Sequence, residues 1–264
     1  MAHTIAIANQ KGGVGKTTTT INLATALAAA GKRVLIIDLD PQANASTGLG
    51  LSKQNRIISI YGLIVGEYTL AQALIKTSIP GLSIIPSTID LLGAEIELVD
   101  MQDRERRLKD ILAPYASMFD YILIDCPPSM GLLSLNSLVA ADRVLIPLQC
   151  EYYALEGLSY LLGSIQKIKK SLNPTLDLYG VVLTMYDKRS SLCQMVATDV
   201  RQYLKDKVFE TIIPRNTKVS EAPSHGKPVL LYDFKSPGSQ AYMSLAKEIL
   251  LRDREYDSYR IKAS

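Results

Sequence analysis

The chain has almost no excess of charge. In 264 residues, 29 Lys and Arg stand against 26 Asp and Glu, a net charge of +3. With 47% hydrophobic residues, so small an imbalance excludes a disordered chain and a histone-like polycation, while leaving open a local basic patch. Cysteine is scarce. Cys126, Cys150 and Cys193 form no CxxC or other metal-ligand spacing, and an odd, sparse count points to a reducing compartment where thiols serve as small core hydrophobes. Long apolar runs are missing too. None reaches the roughly 18 residues needed to cross a bilayer, and the short run Ala2–Asn9 stops at Gln10 and Lys11 without the form of a signal peptide. No linker, repeat or low-complexity segment interrupts the chain. The expectation is one domain over 1–264, with an ordered core at about 3–252 and a charged tail at 253–264.

What is present is alternation. Short apolar, β-branched runs predict strands at Thr4–Asn9, Arg33–Leu39, Leu82–Pro86, Tyr121–Asp125, Arg143–Pro147, Leu178–Met185 and Val208–Ile213. Several are apolar on both faces, as a parallel sheet covered on both sides requires. Helical patterns lie between them, at Thr17–Ala30 (with Gly31 as the C′ glycine), Thr69–Lys76, Ile89–Ala113, Ala154–Ser171, Ser191–Lys205 and Ser239–Leu251. The reading is a single doubly wound α/β domain with a mostly parallel sheet and helices on both faces. Ligands are expected beyond the carboxyl ends of the strands.

Gln10–Thr18, QKGGVGKTT, follows the first strand and opens the first helix. Backbone N–H groups of Gly12, Gly13, Val14, Gly15, Lys16, Thr17 and Thr18 can curl round a phosphate there, aided by the helix N-terminus. Lys16 would neutralise β- and γ-phosphate oxygens, and the Thr17 hydroxyl would complete a Mg²⁺ shell. Asp38 and Asp40 end the second strand two residues apart, on one face, where a carboxylate can hold Mg²⁺ or position a water. Asp125 ends the apolar strand YILID and is followed by Cys126, Pro127 and Pro128; the two prolines stiffen the next loop.

The KGGVGKT form, with its early Lys11, resembles the deviant Walker A motif of the ParA/MinD ATPase superfamily, a branch of the P-loop NTPases. DLDPQ and YILIDCPP resemble that family's switch I and Walker B segments. The resemblance implies ATP and Mg²⁺ as ligands. It implies that Lys11 reaches the nucleotide of a partner subunit in a sandwich homodimer and that Asp40 orients the attacking water. Asp38 would support the metal shell or Lys16, and the metal would be held by Thr17, Asp125 and Asp40. Pro214 and Asn216 would frame the adenine with the strand end near Met185. Residues 187–227 carry eight basic and five acidic residues, while the rest of the chain holds 21 of each, so the whole excess lies in this window. Such a patch suits salt-sensitive contact with phosphate backbone. In the chromosome-partitioning branch the position of Arg189 contacts DNA; Lys218 and Lys227 are further candidates.

The tail KEILLRDREYDSYRIKAS has no apolar face for a membrane, and the cysteines do not match cluster ligands, so the resemblance narrows to the short ParA/Soj type. That implies an ATP-driven dimer that binds double-stranded DNA without sequence preference, a cytoplasmic, nucleoid-associated location, and a ParB-like activator of slow hydrolysis. The alternative is a superfamily ATPase in division-site placement or in cofactor or iron–sulfur assembly, without DNA binding.

Overall fold

The computed structural model describes residues 2–263, with side chains through Glu255. Eight strands form one sheet: β1 (His3–Ile7), β2 (Val34–Asp38), β3 (Ile75–Lys76), β4 (Leu82–Ile85), β5 (Tyr121–Asp125), β6 (Arg143–Gln149), β7 (Asp177–Tyr186) and β8 (Val208–Pro214), in the spatial order β3-β4-β2-β5-β1-β6-β7-β8. All pairings are parallel except β3 with β4. The chain moves outward from β1 through β2 to β4, returns to insert β5 beside β1, and then builds outward again through β6, β7 and β8. β1 is therefore central, and the loop leaving it lies where the two directions of winding part.

The helices are α1 (Lys16–Ala29), α2 (Asn44–Gly48), α3 (Ile60–Val65), α4 (Leu70–Ala73), α5 (Leu91–Glu97), α6 (Arg107–Leu112), α7 (Leu132–Ala140), α8 (Ala154–Ser171), α9 (Ser191–Leu204), α10 (Thr217–Glu221), α11 (Val229–Tyr232) and α12 (Pro237–Ala263). Two apolar cores follow. One, with Ile5, Ile7, Leu23, Leu27, Ile36, Leu123 and Leu245, joins the sheet to α1, α11 and α12. The other, with Leu35, Ile37, Ile124, Leu133, Leu158 and Val196, joins it to α3 and α5–α9. Strands such as Val34–Asp38 and Tyr121–Asp125 are buried at every position. That is why their sequences show no alternation.

Local chemistry accounts for the departures from expectation. The helix expected over Thr69–Lys76 is a single turn: Thr69 and Gln72 cap it, the Thr69 N–H donating to Gln72 Oε1 at 2.9 Å, and Ile75–Lys76 then pairs as an edge strand with β4. The helix expected over Ile89–Ala113 is broken. After α5 comes a 3₁₀ turn at Leu98–Asp100, then extended Met101 and left-handed Asp103 (φ 52°), before α6 begins. Aspartate accepts that backbone region more readily than most residues. Gly31 is the expected C′ residue of α1, with φ 80°.

α12 starts at Pro237, where a missing N–H costs nothing, and runs through the expected core limit at residue 252. Asp253 is 3% exposed. It accepts from Tyr121 Oη at 2.6 Å and Tyr179 Oη at 2.9 Å and is ion-paired with Arg143, which also stacks over the Tyr179 ring. The tail's side chains beyond Glu255 lie outside the described residues. Asp253→Ala would leave three buried donors without this acceptor. It is expected to lower the unfolding free energy by about 3 kcal/mol, read from denaturant midpoints, with Asp253→Asn losing less.

Candidate functional site

The loop between β1 and α1 is held in shape by its neighbours. Asn9 donates to Pro147 C=O (2.8 Å) and accepts from Lys11 N–H (3.0 Å), and Thr184, near the end of β7, donates to Val14 C=O (2.8 Å). Gly13 and Gly15 take φ of 76° and 93°, a region that glycine enters without a Cβ penalty. Val14 is buried beneath the loop, while a Cβ at Gly12 or Gly13 would meet only open space.

A cavity of about 520 Å³ opens above the strand ends. Gly12, Gly13, Gly15, Lys16, Thr17 and Thr18 line one side, Asp40 and Pro128 another, and Met185, Pro214 and Asn216 a third. Most of the expected ligand-binding residues are thus gathered round one space. Lys16 is buried, with Nζ donating to Lys11 C=O at 3.1 Å. Burial lowers its pKa, while Asp125 and Asp40 pull the other way. A desolvated ammonium above two acids is poised for an anion.

Asp38 and Asp125 are register partners on β2 and β5, both with no exposed surface. Thr20, one turn after Lys16, donates to Asp125 Oδ1 at 3.1 Å. Asp125 Oδ2 is buried without a hydrogen-bond partner among the described residues. Burial raises the Asp125 pKa well above the carboxylate range, and Asp38 raises it further; the Thr17 hydroxyl beside it favours the ionised form. An orphaned carboxylate oxygen next to a hydroxyl suits a hard cation such as Mg²⁺. Few other protein acids are needed, because Mg²⁺ keeps waters and phosphate oxygens in its shell. No cluster of three or more His, Cys, Asp or Glu side chains that could hold a metal exists among the described residues.

Of the two roles expected for Asp38, support of Lys16 is not seen, since no hydrogen bond or ion pair joins the two among the described residues. Asp38 Oδ2 accepts from Ser46 Oγ (2.6 Å) and Ser46 N–H (2.8 Å), and Ser46 Oγ in turn accepts from Ser87 N–H (3.1 Å). Buried Arg56 braces the same short helix by donating to Thr47 Oγ1 at 2.9 Å. Ser46, Arg56 and Thr184 carry no signal in sequence, because their partners are 8 to 170 residues away. Thr20 was accessible in principle: it lies four residues after Lys16, on the same helical face.

The remaining candidates lie outside the cavity. Lys11 is ion-paired with Glu151. Arg189 is exposed and forks onto Asp187 at 3.0 and 2.8 Å, holding that carboxyl far below the usual range. Lys218 pairs with Glu221 at 2.9 Å. Lys227 lines a separate cavity of about 270 Å³ beside Thr17, Thr18 and Asn44. Cys126 is a buried core thiol, pushed up to about 12 by burial.

Comparison with known proteins agrees with this geometry. The family described as AAA domain matches residues 2–178. The chromosome partitioning protein ParA of Caulobacter vibrioides is 55% identical over 253 residues, 95% of each chain. The chain belongs to the ParA/Soj family of chromosome-partitioning ATPases. The sporulation initiation inhibitor protein Soj of Bacillus subtilis is 52% identical, over 94% of this chain and 98% of its own. The solved structure of Mycobacterium smegmatis cobyrinic acid a,c-diamide synthase with bound ADP and magnesium superposes with a TM-score of 0.83 at 38% identity, covering 95% and 94% of the two chains. No helix among the described residues is long and apolar enough to cross a membrane.

The family's acidic strand ends give a pH signature. Burial pushes Asp38 up to about 6 from an ordinary 3.8. Between those values the unfolded chain releases the proton and the folded chain keeps it, so ligand-free stability falls as pH rises through this window. Thermal midpoints from pH 4.5 to 6.5 are expected to drop less steeply in Asp38→Asn than in the wild type; equal slopes would contradict the assignment.

Proposed function

We propose that the chain is an ATP-driven switch for moving chromosomes or plasmids, in which Mg-ATP closes a homodimer that binds DNA. The observation that carries this reading is the division of labour between two lysines. Lys16 lies inside its own cavity. Lys11 lies outside it, in an exposed pair with Glu151 that contributes about 0–1 kcal/mol and is readily exchanged. Gly12 and Gly13 present bare backbone to open space, so a second loop can approach there and bring its Lys11 to the γ-phosphate. A cation supplied in trans stabilises the charge that develops during phosphoryl transfer.

Within one protomer, Lys16 and the loop N–H groups bind the phosphates, and Pro214 and Asn216 flank the base. Asn216 Oδ1 accepts from Val219 N–H at 3.3 Å as the cap of α10, leaving its amide N–H₂ to face a purine acceptor. Thr17 and Asp125 are the residues that would hold Mg²⁺, which when bound offsets phosphate charge. Asp40 lines the cavity and has one oxygen occupied by Gln42 N–H at 2.9 Å. In this reading it orients the attacking water. Among the described residues no other carboxylate lines that cavity, and the reading includes slow intrinsic turnover. Arg189 and Lys218 pair with exposed local acids that DNA phosphates can replace, and dimerisation doubles the patch. A ParB-like protein then accelerates hydrolysis and resets the complex on the nucleoid. The division-site and cofactor-assembly readings predict no DNA affinity.

DNA binding measured at two salt concentrations with ADP, ATP and a non-hydrolysable analogue separates these readings. Binding should require ATP or the analogue and weaken with salt. Lys16→Ala should weaken nucleotide binding by about 1.5–3 kcal/mol. Asp40→Ala should keep ATP and the dimer but stop hydrolysis, trapping the DNA-bound form. Arg189→Ala should weaken DNA binding and spare the dimer. Hydrolysis by the protein alone at tens per second, as in kinases, would overturn the switch.

A further inference from the structure

Ile89–Asp100 is one nearly continuous helical run with two apolar faces. Leu91, Ala94 and Leu98 are buried in the core. Ile89, Leu92, Ile96 and Val99 are 58%, 54%, 75% and 53% exposed. At helical spacing these four fall within about 80° of arc, on the side away from the core, in a stripe about 15 Å long. A surface helix ordinarily has one such stripe, and a second one turned to solvent marks an interaction site.

The charge around the stripe is one-sided. Between Lys76 and Arg104 the chain has five acids, Asp90, Glu95, Glu97, Asp100 and Asp103, and no base. None of the five makes an ion pair among the described residues. We propose that this stripe docks a basic amphipathic segment of the activating partner protein. Apolar side chains of the segment would lie on Leu92 and Ile96, and its Lys and Arg against the acidic rim. A second copy of this chain fits less well, because a self-paired stripe sets acid against acid. An anionic membrane is repelled by the same rim.

The surface also has a route to the nucleotide. Glu95 lies against Gly131: a Cβ built there would collide with its carboxylate, and Glu95 Oε1 is buried without a hydrogen-bond partner among the described residues. Gly131 closes the loop that begins after Asp125, and Pro128 of that loop lines the cavity. Pressure on α5 therefore reaches the loop carrying the acidic strand end. This rests on the ATPase-switch reading above.

The test uses the full chain and a fluorescent 14-residue peptide with leucines at helical positions i, i+3, i+7 and i+10 and lysines elsewhere. A control peptide carries glutamates in place of the lysines. Anisotropy is read at about 50 and 300 mM salt, alongside ATP hydrolysis, ATP-dependent DNA binding and the dimer. The basic peptide should bind, more weakly at high salt, and accelerate hydrolysis, while the control should do neither. Leu92→Ser with Ile96→Ser should weaken the peptide about tenfold or more, as loss of two anchors does, and leave ATP-dependent DNA binding and the dimer unchanged. Glu95→Ala should keep peptide binding and lose the acceleration. Equal binding of both peptides, or full binding to the double variant, would overturn the proposal. So would a double variant that loses its dimer, or its affinity for vesicles of anionic lipid, in place of the peptide. If wild-type DNA binding ignores ATP while the peptide results hold, the partition reading fails and the docking surface stands.

Discussion

Two carboxylates in register on adjacent strands, both without exposed surface, set the terms for the rest of the site. Asp38 and Asp125 cannot both ionise cheaply in so little solvent. The fold answers them differently. Ser46 supplies two hydrogen bonds to one oxygen of Asp38, making that carboxyl a structural fixture that ties the loop after β2 to the loop after β4. Asp125 receives Thr20 on one oxygen and keeps the other without a partner among the described residues. The incomplete carboxylate is the one beside the phosphate loop. Buried polar groups left unmatched are destabilising in a ligand-free protein, and a bound cation with its phosphates removes the penalty.

The periphery follows another rule. Lys11, Arg189 and Lys218 each have a carboxylate partner, Glu151, Asp187 and Glu221. These pairs are exposed, so each is weak in water and open to exchange. A surface cation held by a local acid is shielded without being consumed, and a phosphate brought close by a partner can displace the acid. Buried charge is kept in the interior, where it shapes the cavity, and exchangeable charge at the rim.

Legibility followed the range of the interactions. β5 matches its expected span because Tyr121–Asp125 is a buried parallel strand, and such strands show as unbroken apolar runs. α8 matches because Ala154–Ser171 carries an apolar stripe over four turns. The long helix expected at Ile89–Ala113 broke because α5 packs against α3 while α6 packs mainly against α7, with Asp103 turning the chain between them. Asp253 was assigned to a charged tail because charge ordinarily marks a solvated end. Only the arrival of Tyr121, Tyr179 and Arg143 from three strands makes it a core residue.

By itself the sequence determined the phosphate loop, the acids at two strand ends and the layered α/β plan, since each depends on residues adjacent in the chain or on a short period. Tertiary structure alone decided which acid is satisfied and which is left open. It also decided that Lys11 stands outside the cavity that Lys16 fills, and that α5 turns a second apolar face to solvent. Those outcomes depend on groups brought together from far along the chain, through the order in which the strands enter the sheet.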